Sequence, residues 1–298
     1  MYDVVIIGAG PAGLSAGIYA CRGGLKVAII ENKSVGGQAQ TTTDIQNYPG
    51  IKSTSGFDLC YAMMNQCMEF GAEFVFDSIA SVSLIGETKA IALASGKTVE
   101  AKNMIIASGA NARKLGVPNE SKFIGKGVSY CATCDGAFFK GKTVAVIGGG
   151  NTAAEDALYL EKLAKKVYMV HRRDALRADD ILVKRLEKSN VEIVWDSVVE
   201  NLGGEDKITQ LTLKNVKTNA LTTISVDGVF VAIGQTPNSQ GFENISLSSG
   251  GYIIADENMH TNIDGVYAVG DVREKSLRQV VTACADGAIA ANAIVNGI

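Results

Sequence analysis

Two cysteines stand at a spacing suited to redox chemistry. Cys131 and Cys134 are separated by two residues and are followed directly by Asp135. A CxxC pair can cycle between dithiol and disulfide in the cytosol, and a neighbouring carboxyl group can move the protons that the cycle requires. A structural zinc site is the alternative, but the chain has no second CxxC and only two histidines, His171 and His260. The pair therefore predicts a redox-active disulfide.

Glycines follow an apolar, β-branched run at the start of the chain. Gly8, Gly10 and Gly13 form a GxGxxG turn, and Glu31 ends the next apolar run. In a βαβ unit the first two glycines allow a tight turn beside a pyrophosphate, the third allows close helix packing, and the acid accepts from a ribose hydroxyl. The alternative is a glycine turn in an ordinary βαβ unit. The combination predicts a dinucleotide site.

A second fingerprint comprises Gly148, Gly150 and Ala153. Where the first copy has an acid, this copy has a basic stretch, which consists of His171, Arg172, Arg173 and Arg177. A carboxylate repels a 2′-phosphate whereas guanidinium groups bind it, so this site is predicted to prefer NADPH. The alternative is a solvated basic surface. Nucleic-acid binding is disfavoured because no aromatic residues interleave with the charges.

Both fingerprints belong to an internal repeat. Segments 4–31 and 144–171 align without a gap at an offset of 140, with seven of 28 positions identical. Each copy predicts a strand, a glycine turn, a helix of three to four turns and a second strand. The fold class expected is therefore α/β, with two Rossmann-like three-layer nucleotide-binding domains.

The order of these blocks predicts an inserted domain. We expect residues 1–113 and 240–298 to form the first domain and residues 114–239 to form the second. The last segment is too short to bury a core of its own and should end in a helix over Leu277–Asn296. The two connections contain glycine and are candidate hinges.

Composition excludes several classes of protein. The 298 residues are 47% hydrophobic and 20% charged, with 33 glycines and a net charge of -3, which disfavours disorder, a coiled coil, and global attraction to nucleic acid or an anionic membrane. The uncharged segment Val4–Ala20 is interrupted by glycine and proline, lacks a basic flank, and is shorter than the ~20 residues of a spanning helix. Six sparse cysteines do not indicate a secreted disulfide framework, so a cytoplasmic location is expected.

Several blocks, taken in order, resemble the low-molecular-weight bacterial thioredoxin reductases. They span nearly the whole chain and are residues 8–13 (GAGPAG), 36–38 (GGQ), 47–50 (NYPG), 131–136 (CATCDG), 148–153 (GGGNTA), 171–177 (HRRDALR), 270–271 (GD) and 278–279 (RQ). Departures from the family pattern are small, such as Ser108 where a threonine is common and a short end after Asn296.

The resemblance implies FAD in the first domain and NADPH in the inserted domain, with no metal. The implied FAD-binding residues are Gly8, Gly10, Pro11, Ala12, Gly13, Glu31, Gly36, Gly37, Gln38, Asn47, Asp271, Arg278 and Gln279. The implied NADPH-binding residues are Gly148, Gly150, Asn151, Thr152, Ala153, His171, Arg172, Arg173 and Arg177.

The activity implied by the resemblance is NADPH-dependent reduction of the disulfide of thioredoxin. Electrons pass from NADPH to FAD, then to the Cys131–Cys134 disulfide and then to thioredoxin, with Cys134 facing the flavin, Cys131 attacking the partner and Asp135 acting as acid and base. The cysteines and the nicotinamide site both belong to the inserted domain, so they cannot occupy the same face of one flavin at the same time. The family alternates between them by rotating the inserted domain. A homodimer formed mainly through the FAD domains is also implied.

Three other functions stay open. A related flavoprotein would reduce a glutaredoxin-like or peroxide-reducing partner, a ferredoxin-dependent relative would take electrons from an iron-sulfur protein, and a sensor would bind the nucleotides without turnover. The basic stretch that begins at His171 disfavours ferredoxin as the donor, and the CxxC pair disfavours a sensor.

Overall fold

The chain folds into strands rich in β-branched residues that alternate with helices bounded by glycine. A computed structural model describes residues 1–42 and 44–297. The strands are β1 (Tyr2–Ile7), β2 (Val27–Glu31), β3 (Glu73–Phe76), β4 (Ile79–Ser83), β5 (Lys89–Leu93), β6 (Thr98–Ile106), β7 (Ala110–Ala112), β8 (Val128–Ser129), β9 (Thr143–Ile147), β10 (Lys166–Val170), β11 (Glu192–Val194), β12 (Ser197–Gly203), β13 (Gln210–Asn215), β14 (Leu221–Ser225), β15 (Gly228–Val231), β16 (Gln235–Pro237) and β17 (Val266–Ala268). The α-helices are α1 (Pro11–Arg22), α2 (Gly56–Glu69), α3 (Glu120–Phe123), α4 (Ala132–Asp135), α5 (Asn151–Glu161), α6 (Asp180–Glu187) and α7 (Val280–Asn296). Short 3₁₀ turns cover Ala39–Thr41, Gly136–Phe139 and Gly270–Val272.

The chain divides into two compact units. The first unit comprises residues 1–111 and 236–298, and the second comprises residues 112–235. The short strands β7 and β16, which pair with each other, carry the two crossings of the chain. No helix among the described residues is both long and apolar enough to cross a membrane.

The first unit is organised around a seven-stranded sheet in the order β3-β2-β1-β6-β5-β4, with β17 also paired to β6. Strands β1, β2, β3, β6 and β17 pair in parallel, whereas β4 and β5 add an antiparallel edge. Parallel strands are buried on both faces, and accordingly Val4, Val5 and Ile6 are all fully buried. Helices α1 and α7 pack closely against each other on one face of this sheet.

The second unit repeats the arrangement on a smaller scale. Its parallel sheet has the order β11-β10-β9-β15-β8, and a separate antiparallel meander contains β12, β13 and β14. Strand β9, helix α5 and strand β10 follow one another as β1, α1 and β2 do in the first unit. The α/β class and the repeated strand–glycine–helix–strand unit predicted from the sequence are confirmed.

The final helix begins later than the sequence pattern predicts. Helix α7 starts at Val280 rather than Leu277 because Gln279 is its N-cap, and Thr282 closes a capping box with Gln279 by accepting its backbone N–H at 3.1 Å. A capping residue holds extended backbone, so the residues before it cannot be helical. The periodicity of small residues did not reveal this boundary.

Close packing of α7 on α1 gives a test in which two effects have opposite signs. In Gly287→Ala, greater helix propensity should stabilise by about 1 kcal/mol, but the new Cβ would lie 2.1 Å from the carbonyl oxygen of Ala12. Backbone cannot move aside cheaply, so we expect a net loss of about 1–3 kcal/mol in the free energy of unfolding. Denaturant unfolding followed by circular dichroism measures it. Asn292→Ala, an exposed change on the same helix, is the control, and a stabilised Gly287→Ala protein would contradict the packing argument.

Candidate active site

The predicted redox pair forms a disulfide at the start of a short helix. Cys131 and Cys134 are bonded to each other with their Cα atoms 5.3 Å apart. Cys131 is the N-cap of α4, and its Sγ accepts the backbone N–H of Cys134 at 3.2 Å. An N–H donated to sulfur stabilises the negative charge that develops there when the disulfide opens.

Ser129 organises the residues around this disulfide. Its hydroxyl accepts the backbone N–H of Cys131 at 3.1 Å and donates to Oδ2 of Asp135 at 2.6 Å. Burial raises the pKa of Asp135 above its usual range, and the hydrogen bond from Ser129 only partly offsets this effect. A carboxyl group with a raised pKa is better suited to exchange protons near neutral pH. The role of Ser129 could not be predicted from the sequence, since no motif marks a serine at this spacing.

The redox helix is fixed against the helix that follows the second glycine fingerprint. Gly136, directly after α4, lies so close to α5 that a Cβ would be 3.0 Å from Leu160 and from Tyr159. Ala132 belongs to the same buried cluster as Ala153, at the start of α5. The disulfide and the second glycine turn are therefore parts of one packed structure.

The first glycine turn has the close approaches that its motif predicts. Gly8 has a φ of 102°, and a Cβ there would lie 2.5 Å from the carbonyl oxygen of Ala107. A Cβ on Gly13 would lie 2.0 Å from the carbonyl oxygen of Gly8. By contrast, a Cβ on Gly10 would meet nothing within 4 Å. The outer side of the turn is thus open at the N-terminus of α1, where backbone N–H groups favour an anion.

Glu31 lies beside this turn as the sequence predicts. Its Oε2 accepts the backbone N–H of Ala9 at 3.0 Å, and its Oε1 accepts the N–H groups of Asn32 and Lys33 at 2.9 Å. Gly36 donates its N–H to the carbonyl of Ala9 at 2.8 Å. Two later segments of the chain are thereby tied to the glycine turn.

Other implied flavin residues also meet in the first unit. Pro11 and Ala12 form the first turn of α1, a Cβ on Gly37 would be 3.4 Å from the Cα of Gly10, and the amide of Gln38 donates to the carbonyl of Ala110. The Asn47 amide donates to Oε1 of Gln279 at 3.0 Å. The last of these contacts joins residues 232 positions apart in the sequence.

Asp271 and Arg278 contain buried polar atoms without a partner among the described residues, namely Oδ1 of Asp271 and Nε of Arg278. The backbone before Asp271 is held by Asp286, whose Oδ2 accepts the N–H of Gly270 at 2.9 Å and a hydrogen bond from Lys275 at 2.6 Å. Burial also raises the pKa of the Asp271 carboxyl group, whose Oδ1 is the unpaired atom. Buried unpaired atoms of this kind are able to hydrogen-bond a bound polar group. Asp286 was missed, although a carboxylate among the small residues of α7 is a usable signal.

The second glycine turn repeats the pattern. Gly148 has a φ of 155°, with a Cβ position 2.3 Å from the carbonyl oxygen of Ala232 and 2.7 Å from the Cβ of Ala153. Gly150 is the N-cap of α5, and a Cβ there would meet nothing within 4 Å. Thr152 is exposed in the first turn of α5. A glycine turn with open space at its middle glycine thus occurs in both units.

Asn151 makes contacts within the protein. Its amide donates to Oδ2 of Asp179 at 2.8 Å and accepts the backbone N–H of Asp179 at 2.8 Å. Asp179 precedes α6, so Asn151 fixes α6 to the second glycine turn.

The basic stretch contains two kinds of residue. Arg172, Arg173 and Arg177 are exposed, whereas His171 is only 6% exposed and has its Nε2 3.0 Å from the carbonyl oxygen of Ala175. Burial lowers the pKa of His171, and the neighbouring arginines lower it further. The backbone N–H of Arg177 donates to the carbonyl of Gly149 at 2.6 Å. His171 therefore supports the loop, while the arginines are accessible to an anion.

Comparison with known proteins agrees with this geometry. Residues 2–287 match the pyridine nucleotide-disulphide oxidoreductase family. Thioredoxin reductases of Bacillus subtilis (strain 168) and Peptoclostridium acidaminophilum are 44% and 47% identical, over 99% and 98% of this chain and 94% and 95% of their own. The chain belongs to this family and, within it, to the thioredoxin reductases. The thioredoxin reductase structure from Streptococcus pyogenes MGAS5005 matches with a TM-score of 0.94 at 44% identity, covering 99% of this chain and 97% of that one.

Membership confirms the class of chemistry predicted from the CxxC pair. The chain is an oxidoreductase of the pyridine nucleotide-dependent type that acts through a redox-active disulfide.

The second glycine turn yields a matched pair of substitutions. A Cβ on Gly149 would lie 2.1 Å from Nδ1 of His171, whereas one on Gly150 would meet nothing. We expect Gly149→Ala to lower the free energy of unfolding by about 1–3 kcal/mol and Gly150→Ala to change it by less than about 0.5 kcal/mol. Urea unfolding followed by fluorescence of Trp195, the single tryptophan, which lies 6.3 Å from His171 between ring centroids, measures both. Equal losses would show that His171 does not pack on Gly149.

Proposed function

We propose that this protein catalyses the NADPH-dependent reduction of thioredoxin, with FAD as its bound cofactor. In this proposal the domain expected from the sequence at residues 1–113 and 240–298 binds FAD, and the inserted domain expected at residues 114–239 binds NADPH. The observation that carries the proposal is the Cys131–Cys134 disulfide, packed through Gly136 on the helix that starts at an open glycine turn. A disulfide joined in this way to a nucleotide site suits an enzyme that moves electrons between the two.

The described residues of the first unit are suited to FAD. The open side of Gly10 at the N-terminus of α1 accommodates the pyrophosphate, and Glu31 is near enough to that turn to bind a ribose. Asp271 and Arg278 offer unpaired buried atoms to the polar parts of the flavin. Gln279, which follows Arg278 directly, adds a side-chain amide that is hydrogen-bonded to the amide of Asn47. A bound FAD would supply the two-electron chemistry that connects NADPH with the Cys131–Cys134 disulfide.

The second unit is suited to NADPH. The open side of Gly150 accommodates a pyrophosphate, and the exposed Arg172, Arg173 and Arg177 supply charge for a 2′-phosphate. In this proposal His171 acts indirectly, because its buried ring contacts Gly149 and Ala175 and so sets the course of the loop.

The residues around the disulfide perform the exchange with thioredoxin. By family resemblance Cys131 attacks the partner disulfide, Cys134 then resolves the mixed disulfide, and Asp135 supplies and removes protons. The N–H of Cys134 stabilises charge on the sulfur of Cys131, and Ser129 orients Asp135. Each cycle releases one thioredoxin dithiol and returns the disulfide of this chain.

A cytoplasmic homodimer is part of the proposal. On helix α2 of the first unit, the rings of Phe57 and Tyr61 stack with centroids 5.9 Å apart while they are 58% and 52% exposed. Exposed aromatic surface of this kind supports an interface through the FAD-binding unit.

Preference for NADPH over NADH tests the second nucleotide site. Arg172→Ala and Arg173→Ala each remove a phosphate contact of about 1.5–3 kcal/mol, so kcat/KM for NADPH should fall roughly 10- to 150-fold while that for NADH changes little. Steady-state kinetics with both nucleotides measures this. Arg185→Ala, an exposed arginine of α6, is the matched control. Equal use of both nucleotides by the parent protein would refute the charge argument.

A trapping experiment tests the partner and the roles of the two cysteines. In Cys134→Ser, Cys131 can still attack a partner disulfide, but the resulting mixed disulfide cannot be resolved. We expect a covalent adduct with oxidised thioredoxin on a non-reducing gel, and flavin reduction by NADPH that persists because that step needs no thiol. Cys131→Ser is the control and should form no adduct. A glutaredoxin-like or peroxidase partner trapped in preference to thioredoxin would transfer the assignment to the related flavoproteins.

A further inference from the structure

A buried carboxylate outside every motif lies near the redox helix. Glu120, at the start of α3, is only 4% exposed and accepts hydrogen bonds from two parts of the second unit. Its Oε1 accepts the N–H of Leu115 at 2.8 Å and the hydroxyl of Tyr130 at 2.7 Å, and its Oε2 accepts the N–H of Gly116 at 2.9 Å. A buried carboxylate needs such donors because burial removes its hydration.

The partners of Glu120 are separate in the sequence. Leu115 and Gly116 belong to the chain that has just entered the second unit, whereas Tyr130 directly precedes Cys131. Leu115 and Tyr130 both pack against the buried cluster that contains Phe123, which is fully buried. Burial and, to a smaller extent, the hydrogen bond to Glu120 raise the pKa of Tyr130, so its hydroxyl stays protonated and donates.

This arrangement fixes the backbone on the N-terminal side of the disulfide. Ser129 is paired with Phe230 in the parallel sheet, and the next residue, Tyr130, is held by its ring and by its hydroxyl. Cys131 follows with no intervening residue, so its freedom to move away from Cys134 depends on these contacts. A restrained cysteine has a higher effective concentration for forming an intramolecular bond.

We propose that Tyr130 and Glu120 are positioning residues for Cys131, which stabilise the Cys131–Cys134 disulfide relative to the dithiol by holding the chain before Cys131 in place. This inference rests on the proposed function only in taking that disulfide as the working one. Neither residue touches the reacting sulfurs in this assignment. Tyr130→Phe is a conservative substitution that tests this proposal, because the ring and its packing remain while the hydrogen bond to Glu120 is lost.

The measurement is the thiol–disulfide equilibrium of the full-length holoprotein against dithiothreitol. Two thiolate–disulfide exchanges convert the protein disulfide and one dithiothreitol into two protein thiols and the cyclic oxidised reagent. Acid quenching, alkylation and mass spectrometry count the thiols at each ratio of reduced to oxidised reagent. For Tyr130→Phe we expect a three- to tenfold shift toward the dithiol, which is about 14–30 mV for a two-electron couple.

Tyr168→Phe is the matched control. Tyr168 packs half-buried against the same cluster as Tyr130, but its hydroxyl interacts with Lys166 instead of Glu120. The control should leave the equilibrium unchanged, and unfolding followed by Trp195 fluorescence reports any general loss of stability. An equilibrium in Tyr130→Phe equal to that of the parent, with or without a loss of stability, would overturn the proposal.

Glu120→Gln and the double variant provide a second criterion. If the two residues act together, the double variant should shift the equilibrium no more than Glu120→Gln alone, whereas additive shifts would show independent effects and contradict the proposal. Should Glu120→Gln fail to fold, the comparison of Tyr130→Phe with Tyr168→Phe still decides the matter. The equilibrium needs neither NADPH nor thioredoxin, so a parent protein inactive toward thioredoxin would refute the proposed function and leave this result intact.

Discussion

The absence of a side chain at the strand-to-helix turn is the constraint on which both units depend. In the first unit, the space for a Cβ on Gly13 is taken by the carbonyl oxygen of Gly8, and in the second unit the space at Gly148 is taken by Ala232 and Ala153. The helix can therefore approach its strand closely only when these positions carry no large side chain. At Gly10 and Gly150 the same lack of a Cβ leaves open space instead. One turn thus both packs the protein and leaves room for a ligand.

Each unit then secures the end of its second strand to this turn, but by different atoms. In the first unit the side chain of Glu31 accepts an N–H from Ala9. In the second unit the backbone N–H of Arg177 bonds to the carbonyl of Gly149, and the buried ring of His171 packs against Gly149. The arginine side chains therefore do not hold the turn in place. The two copies of the repeat thus carry opposite charges beside their glycine turns, and a backbone tie in the second copy leaves the cationic side chains available.

The sequence predicts the repeated elements and the redox pair correctly, because both depend on local spacing. The glycine turns, the repeat and the CxxC pair are visible in short windows, and the structure has each of them at the expected element. Ser129 and Tyr130 directly precede Cys131 in the sequence, but their side-chain partners could not be predicted, because serine and tyrosine have many uses. Only the fold brings Asp135 to Ser129 and Glu120 to Tyr130. The role of His171 was obscured for a related reason. A histidine beside arginines suggests a phosphate ligand, and burial against Gly149 becomes visible only in three dimensions.

The remaining cysteines of the chain have a consequence for how it can be handled. Burial raises the pKa of Cys60 to about 11 and that of Cys67 to about 12, and it also raises the pKa of Cys21 and Cys284. In the folded protein these thiols carry little thiolate at neutral pH, so they do not compete with Cys131 and Cys134 in exchange. Unfolding removes this protection and gives all six sulfurs similar reactivity. The native pairing is thus maintained by the fold itself, and recovery of the protein from denaturant calls for a reductant that keeps misplaced bridges reversible.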